Sequence, residues 1–355
     1  MSENRQPGDV MLSPTGERGQ EPGAVLAGSG AQSPQGAEPP RRPPGKVRRG
    51  DRVFSGLTGG ASLLVLVIIV LIGVFLVSKA LPALQKDGSN FLTERQFLTD
   101  RAPPAFGIAA LVFGTVLTSL LALLMAVPVA LGVSLYVTEY APPRVARPLG
   151  YLVDLLAAVP SVIYGLWGID FLLSRSLGFQ SFLQAHLSFI PLFANDVGAV
   201  GRSILLASIV LAIMIVPIIA AISREVFTQV PQANREAAFA LGATKLEMIR
   251  MAVLPYSRAG VVSAVMLGLG RALGETIAIA IVLSASFDIS LQILRATGGN
   301  TIAANIATKF GEADPVGRGA LIATGLVLFA ITLAVNMAAR AVVYRSNRLE
   351  TKGAA

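Results

Sequence analysis

Long runs of apolar residues, separated by shorter polar segments, dominate the chain from about residue 54 to residue 346. Each run has at least about the 20 residues that an α-helix needs to cross the ~30 Å hydrocarbon core of a bilayer. Because lipid offers the backbone no hydrogen-bond partner, such a run crosses the membrane as a helix. The pattern predicts an all-α polytopic membrane protein with six transmembrane helices, near residues 57–79, 106–138, 149–173, 203–223, 259–285 and 319–343.

Prolines and glycines modify this pattern. Pro128 predicts a kink in the second run, and Pro160 and Pro217 predict interruptions of the third and fourth runs, because proline has no N–H for the helix ladder. Gly268, Gly270 and Gly274 in the fifth run predict close helix–helix packing, since small residues let two backbones approach each other.

Composition supports the membrane assignment. Of the 355 residues, 53% are hydrophobic and 14% are charged, which fits a polytopic membrane protein and excludes an ordinary soluble domain. The net charge of +8 is not accompanied by a basic groove with interleaved aromatic residues, so no nucleic-acid partner is predicted. The chain has no cysteine, which excludes disulfides and thiolate metal sites.

Polar tails flank the span region. Residues 1–53 are rich in Pro, Gly, Ser, Glu and Gln and are predicted to form a disordered tail, because this composition cannot bury a core. A basic cluster at 41–52 ends the tail and favours contact with the anionic headgroups of membrane lipids. Residues 347–355 are predicted to form a short second tail.

The distribution of Lys and Arg predicts which side of the membrane each segment occupies. With the N-terminus inside, nineteen of these residues lie on the inner side and nine on the outer side, and eight of the nineteen belong to the N-terminal tail. The loop 224–258, between the fourth and fifth spans, is itself basic. Because Lys and Arg accumulate on the cytoplasmic side, both termini and this loop are predicted to be cytoplasmic.

The loop between the fourth and fifth spans contains signals for two short helices. Pro231 suits the first turn of a helix, and Gly242 lies where a left-handed residue ends one. Thr244 and Glu247 predict a capping box that starts the second helix. The Leu-Pro pair at 254–255 is predicted to end it, since proline disfavours helical geometry in the residue before it. A polar helical hairpin between two membrane spans indicates a docking role.

The same loop carries a known family motif. It resembles the EAA loop of ABC-importer permeases, a coupling helix that fits into a cleft of the ATPase subunit. The resemblance implies an ATPase-coupling role for six residues: Glu236, Ala237, Ala238, Gly242, Leu254 and Pro255. Ala252 departs from the family pattern, which usually has a larger aliphatic residue there.

Three further strings extend the resemblance. They are GTVLTSLLALLMAVPVALGVSLYVTEYAP (114–142), AAVPSVIYGLWG (157–168) and GLGRALGETIAIAIVLS (268–284). These strings look like the phosphate-importer permeases, and YGLWG favours the PstC type over the PstA type. The chain is identified as a member of the binding-protein-dependent transport system inner-membrane component family, with a resemblance that covers roughly residues 60–345.

The resemblance implies the type I ABC-importer permease fold, the bacterial plasma (inner) membrane, and inorganic phosphate as the substrate. It also implies three kinds of partner: a homologous PstA-type six-span subunit, a PstB-type ATPase dimer and a PstS-type phosphate-binding protein on the outer face. The chain has no P-loop and no catalytic constellation. It is therefore expected to be a non-catalytic subunit without a cofactor, with ATP and Mg bound by the partner ATPase.

Two charged residues, Arg271 and Glu275, lie near the middle of the predicted fifth span. At this i, i+4 spacing they would share one helix face and reach each other. A lone charge at bilayer depth costs at least ~2.5–3.5 kcal/mol, so both are expected to face protein or water. One hypothesis is a structural ion pair. The other is a translocation path in which Arg271 meets the phosphate anion and Glu275 holds Arg271 when the path is empty.

Two other functions stay open from the sequence. A permease of the same class could carry another oxyanion, such as molybdate, sulfate or phosphonate. A secondary transporter or channel driven by ions is the alternative from another class. Such proteins usually place several ionisable residues within their spans, whereas Asp154 and Asp170 lie toward the ends of the third span.

Overall fold

The computed structural model describes residues 49–99, 103–194, 201–295 and 299–353. The predicted disordered tail therefore lies outside the described residues as far as residue 48. The chain divides into two units, residues 1–62 and 63–355. In the first unit, the described residues are helical, and the packing described below belongs to the second unit.

The described part of the chain contains twelve α-helices and two short strands. The helices are α1 (Arg49–Leu84), α2 (Ala109–Leu135), α3 (Pro143–Ala157), α4 (Ser161–Trp167), α5 (Leu173–Leu187), α6 (Ile204–Thr228), α7 (Gln232–Ala240), α8 (Lys245–Met248), α9 (Leu254–Leu273), α10 (Ile277–Val282), α11 (Ile302–Lys309) and α12 (Pro315–Gly353). Three π-helical turns extend or join them: Tyr136–Tyr140 after α2, Gly168–Leu172 between α4 and α5, and Ile249–Val253 between α8 and α9.

Six membrane spans are present when one bent pair is counted as a span. Five single segments are long and apolar enough to cross a bilayer: Arg52–Leu84, Ala109–Tyr140, Ile204–Thr228, Lys245–Leu273 and Pro315–Ala341. The sixth combines α3 with Ser161–Leu187, and the two parts meet at 91°. The six-span prediction is confirmed, but 149–173 is wrong as a single straight span. Pro160 stands at the bend, where it disfavours helical geometry in the residue before it.

The predicted interruption at Pro217 is wrong. Helix α6 continues through this proline to Thr228. In an apolar stretch of 18 residues within this helix, 72% is buried. Packing on most sides holds the helix together despite the lost backbone hydrogen bond. Helices α1 and α12 reach into the segments predicted as tails, because α1 begins at Arg49 and α12 continues to Gly353. An apolar run marks where a helix meets lipid, and backbone hydrogen bonds continue beyond that point.

The fifth span is shorter than the predicted 259–285. Its helix ends at Leu273, and Gly274 is the C-cap residue, whose N–H donates to the Gly270 carbonyl (3.2 Å). The chain then breaks before α10 begins at Ile277.

Helix α6 lies at the centre of the fold. Its side chains Leu211 and Ile215 are completely buried. Helix α2 packs against it and contributes Ala122, Ala126 and Ala130 to the same core cluster, all of them completely buried. These alanines recur every four residues, so they form one stripe along α2. Small side chains in such a stripe allow close approach of two helices.

A small β-ladder follows α1 in the chain. Strand β1 (Phe97–Leu98) pairs antiparallel with β2 (Ala105–Phe106), and Phe106 is completely buried against α2 and α12 residues such as Leu111 and Leu321. The all-α prediction therefore holds for the spans, with this two-stranded ladder as an addition. Beside it, the hydroxyl of Thr115 accepts a hydrogen bond from the first amide of α11, Ile302 (3.0 Å), which ties α11 to α2.

Candidate functional site

The predicted pair of short helices between α6 and α9 is present, and we call residues 231–255 the helical hairpin. Pro231 is the N-cap residue of α7 and lies one position before the first helical residue. The amide of Gly242 donates to the Phe239 carbonyl (2.9 Å), and the next amide donates to the Ala238 carbonyl (3.1 Å). These two bonds form a Schellman motif. Gly242 has φ +81°, which confirms the prediction that glycine is needed here.

The capping box at the start of α8 is also confirmed. The Glu247 carboxylate accepts hydrogen bonds from the Thr244 N–H (2.8 Å) and from its hydroxyl (2.7 Å), and the Glu247 N–H donates to the Thr244 hydroxyl (3.4 Å). The Thr244 N–H first, and its hydroxyl second, lower the pKa of the Glu247 carboxyl below its ordinary value. Glu247 is therefore ionised at neutral pH, and its charge interacts favourably with the N-terminal end of α8.

The second helix of the hairpin does not end at the Leu-Pro pair, so this prediction is wrong. Residues Ile249–Val253 form a π-helical turn, in which the N–H of Leu254 donates to the Ile249 carbonyl. Pro255 then lies in the first turn of α9, where a missing N–H has no cost. The wider turn accommodates the proline, and the hairpin passes directly into the fifth span.

The EAA residues divide into an exposed pair and a buried alanine. Glu236 and Ala237 are exposed, whereas Ala238 is buried against a cluster that includes Met248 and Val253. A small side chain at 238 therefore lets α7 lie close to the second half of the hairpin. Of the motif residues, Ala238 and Gly242 shape the hairpin, while Glu236 and Ala237 remain open to a partner.

The tip of the hairpin exposes large apolar side chains. Leu241 is 82% exposed, Leu246 is 51% exposed and Phe239 is 47% exposed. They flank the turn around Gly242, beyond the buried base of the hairpin. Apolar side chains exposed together on a polar segment indicate a surface for another protein.

Sequence analysis missed the residues that attach the hairpin to the spans. Arg235 forms an ion pair with Glu139 in the π-helical turn after α2 (2.9 Å). It also donates to the carbonyl oxygens of Phe227 and Val230 at the end of α6 (both 2.8 Å). Arg235 stands directly before the EAA motif, but no local signal could link it to a residue 96 positions away.

Arg271 and Glu275 do not form the predicted pair. Because α9 ends at Leu273, the two residues do not share one helix face, and the described residues include no ion pair between them. The Glu275 carboxylate instead accepts a hydrogen bond from the Ala278 N–H at the start of α10 (3.1 Å). The Nε of Arg271 is buried, and no acceptor for it exists among the described residues.

Arg271 and Glu275 do meet at one cavity. It has a volume of about 1240 Å³ and lies against α6, α9 and α12. Its wall is mainly apolar, with Met266 and Leu267 as examples. Asn336 and Arg340 of α12 also line it, although sequence analysis assigned them no role. Two guanidinium groups on one cavity favour an anionic occupant.

The candidate site has two parts. The described residues contain no group of three or more His, Cys, Asp or Glu side chains that could hold a metal ion. Charged and apolar groups instead occupy two places: the cavity at Arg271 and the tip of the helical hairpin. Helix α9 leads from one to the other, since it begins at Leu254, at the end of the hairpin, and contains Arg271 in its last turn.

Comparisons with known proteins show the family of the chain. The family model described as "Binding-protein-dependent transport system inner membrane component" matches residues 129–348. The chain is 47% identical over 300 residues to "Phosphate transport system permease protein PstC 2" of Mycobacterium tuberculosis, covering 83% of this chain and 92% of that protein. A protein named "Phosphate transport system permease protein PstC" from Mycobacterium leprae is 45% identical, and the match covers 83% of this chain and 94% of that protein. A protein of the same name from Xylella fastidiosa is 40% identical, and the match covers 85% of this chain and 93% of that protein.

Among solved structures, the chain is similar to a chain of the MetNI methionine ABC transporter in inward-facing conformations. The TM-score is 0.44 and the sequence identity is 20%. The similarity covers 66% of this chain and 96% of that chain. The family model and these relatives confirm the resemblance predicted from the sequence. The chain belongs to the family of binding-protein-dependent transport system inner membrane components.

Proposed function

We propose that this chain is the PstC-type permease subunit of an ATP-driven importer for inorganic phosphate. One observation carries the proposal: the 47% identity over 92% of a relative named as a phosphate transport permease. The chain would conduct the anion without catalysing a reaction and would bind no cofactor of its own. A PstB-type ATPase dimer would bind ATP and Mg, a PstA-type subunit would complete the path, and a PstS-type protein would deliver phosphate from outside.

The helical hairpin is the surface proposed for the ATPase. Exposed Glu236 and Ala237, together with the apolar tip at Leu241, provide a compact patch of mixed chemistry. The rigid turn at Gly242 and the capping box hold this patch in one shape. This role requires the hairpin and both termini to be cytoplasmic, as the distribution of basic residues predicts.

Replacement of Gly242 tests the coupling role. A side chain at this position meets no atom within 4 Å, so Gly242→Val acts through backbone strain alone, by ~1 kcal/mol or more. We expect the variant complex to reach the membrane and lose transport. Gly242→Asn is the control, because asparagine tolerates a positive φ, and it should keep most of the transport rate. Full transport and full ATPase stimulation by Gly242→Val would contradict the coupling role.

The cavity at Arg271 is proposed as part of the anion path. No ion pair of Arg271 occurs among the described residues, and its Nε is buried without an acceptor, while a cation within a membrane span needs a counter-charge or water. The guanidinium fork matches the oxygens of a phosphate anion. Glu275 is held by the α10 amide, so it would shape the cavity wall beside Arg271 and would not act as its ionic partner.

Substitution of Arg271 separates transport from assembly. No described side chain loses an ion pair in Arg271→Gln, so the complex should assemble and hydrolyse ATP. Phosphate uptake should fall at least about tenfold, because a hydrogen bond to a charged group contributes ~1.5–3 kcal/mol. Arg271→Lys keeps the positive charge but lacks the forked guanidinium group, so its phosphate uptake should lie between that of the wild type and that of Arg271→Gln. Arg295→Gln, outside the cavity, is the matched control. Normal uptake by Arg271→Gln would refute the path, and loss of assembled complex would indicate a structural role instead.

The substrate is tested with the complete complex in proteoliposomes. Radiolabelled phosphate should accumulate only when the binding protein is present on the side from which phosphate is taken up and ATP is available to the ATPase. Molybdate, sulfate and phosphonate are the competing substrates. Preferential uptake of any of them would refute the phosphate assignment, and uptake that needs an ion gradient in place of ATP would refute the whole class.

A further inference from the structure

Two neighbouring residues at the end of α2 contact both helices of the hairpin. Glu139 forms the ion pair with Arg235 of α7 (2.9 Å). The next residue, Tyr140, presents its ring to the ammonium group of Lys245, the first residue of α8, at 4.8 Å from the ring centre. The turn that contains them, Tyr136–Tyr140, therefore touches the hairpin on both sides of its tip.

The ion pair at this point is largely withdrawn from water. The side chains of Arg235 and Glu139 are 15% and 6% exposed, whereas those of Arg224 and Asp154, which join α6 to α3, are 24% and 49% exposed. Charges in a less polar environment attract each other more strongly and are screened less by salt. The Glu139–Arg235 attraction is therefore stronger and less sensitive to salt than that of the exposed pair.

Arg235 also fixes the hairpin to α6. Its guanidinium donates to the carbonyl oxygens of Phe227 and Val230, which lie where α6 runs out of backbone donors. Three elements consequently meet at one side chain: α7, the end of α6 and the turn after α2. The carbonyl bonds keep the hairpin on α6, and the Glu139 carboxylate adds the charged link to α2.

The turn itself differs from an ordinary helix end. It is π-helical, with the N–H of Ala141 donating to the Tyr136 carbonyl (2.8 Å). The chain then passes through Pro142 into α3, which begins at Pro143. The helical hairpin contains a second π-helical turn, Ile249–Val253, where α8 joins α9. Single π-turns within helices are wider than α-turns and often occur at functional sites.

We propose that Glu139 and Tyr140 are positioning residues that relay movement of the hairpin to α2. The inference rests on the proposed function, because it needs an ATPase that moves the hairpin. A push on α7 acts on Glu139 through Arg235, and a push on α8 acts on Tyr140 through Lys245. Since α2 packs along α6 through its alanine stripe, displacement of its end shifts α2 against the centre of the fold.

The test measures phosphate moved per ATP hydrolysed by the complete complex in proteoliposomes. Glu139→Gln keeps a hydrogen-bond acceptor for Arg235 and removes the charge, and Tyr140→Leu removes the ring. Each should lower the ratio, and the double variant should lower it by roughly 2- to 30-fold, the range of coupling changes seen for residues outside ligand sites. The amount of complex and its ATP hydrolysis should stay near wild type.

Two controls accompany the relay variants. Tyr140→Phe retains the ring face for Lys245 and should keep the wild-type ratio. Asp154→Asn breaks the exposed ion pair between α3 and α6 and leaves every described hairpin contact in place, so its ratio should also be that of wild type. A reduced ratio in Asp154→Asn as large as that of the double variant would overturn the proposal, because any ion pair at this end would then matter equally.

Two other outcomes would overturn it. The ratio could stay at the wild-type value in Glu139→Gln and in Tyr140→Leu. Alternatively, the double variant could lose complex, ATP hydrolysis and transport in equal proportion, which would indicate a purely structural contact. Failure of the proposed function would give a different result from failure of the relay. If the proposed function is wrong, the wild-type complex itself will not accumulate phosphate. The ratio can be measured with whichever oxyanion the wild-type complex accumulates, so the relay stays testable.

Discussion

The close packing of α2 against α6 is the contact on which the rest of the structure depends. The stripe of Ala122, Ala126 and Ala130 gives α2 a flat face, and α6 fills it with branched side chains that exclude both lipid and water. Without aqueous solvent to drive helices together, such fitted contact is a main source of helix association in a membrane. The cavity and the hairpin are both placed by it, because α6 borders the cavity and ends at the hairpin.

The hairpin behaves as an extension of the spans, since its base is attached to them. Its base is packed with Phe227, Met248 and Val253, and α8 continues through a π-turn into α9. Helix α9 carries Arg271 in its last turn. A continuous helical path therefore runs from an exposed tip to a charged cavity wall. In an ATP-driven permease this geometry would let a partner's movement reach the cavity at Arg271 without an intervening loop.

Local signals in the sequence predicted local structure well. Gly242, Thr244 and Glu247 act on their immediate neighbours through backbone hydrogen bonds, so their effects could be predicted from spacing alone. The prolines were harder, because Pro217 and Pro255 are accommodated by packing and by a π-turn that spacing does not reveal. The Arg271–Glu275 pair failed because Gly274 ends the helix between them. The Arg235–Glu139 contact could not be predicted from the sequence, since it joins residues that only the fold brings together.

The EAA motif residues have two different structural roles in the hairpin. The motif residues indicated which class of permease to expect, whereas the structure separated those that shape the hairpin from those that a partner can touch. The most direct measurement places one cysteine at Leu241 in this otherwise cysteine-free chain and a control cysteine at exposed Leu92. A membrane-impermeant thiol reagent should reach position 241 only from the cytoplasmic side, and the bound ATPase should protect it, while position 92 should react only from outside. Labelling of position 241 from outside, or labelling that the ATPase does not reduce, would contradict the account.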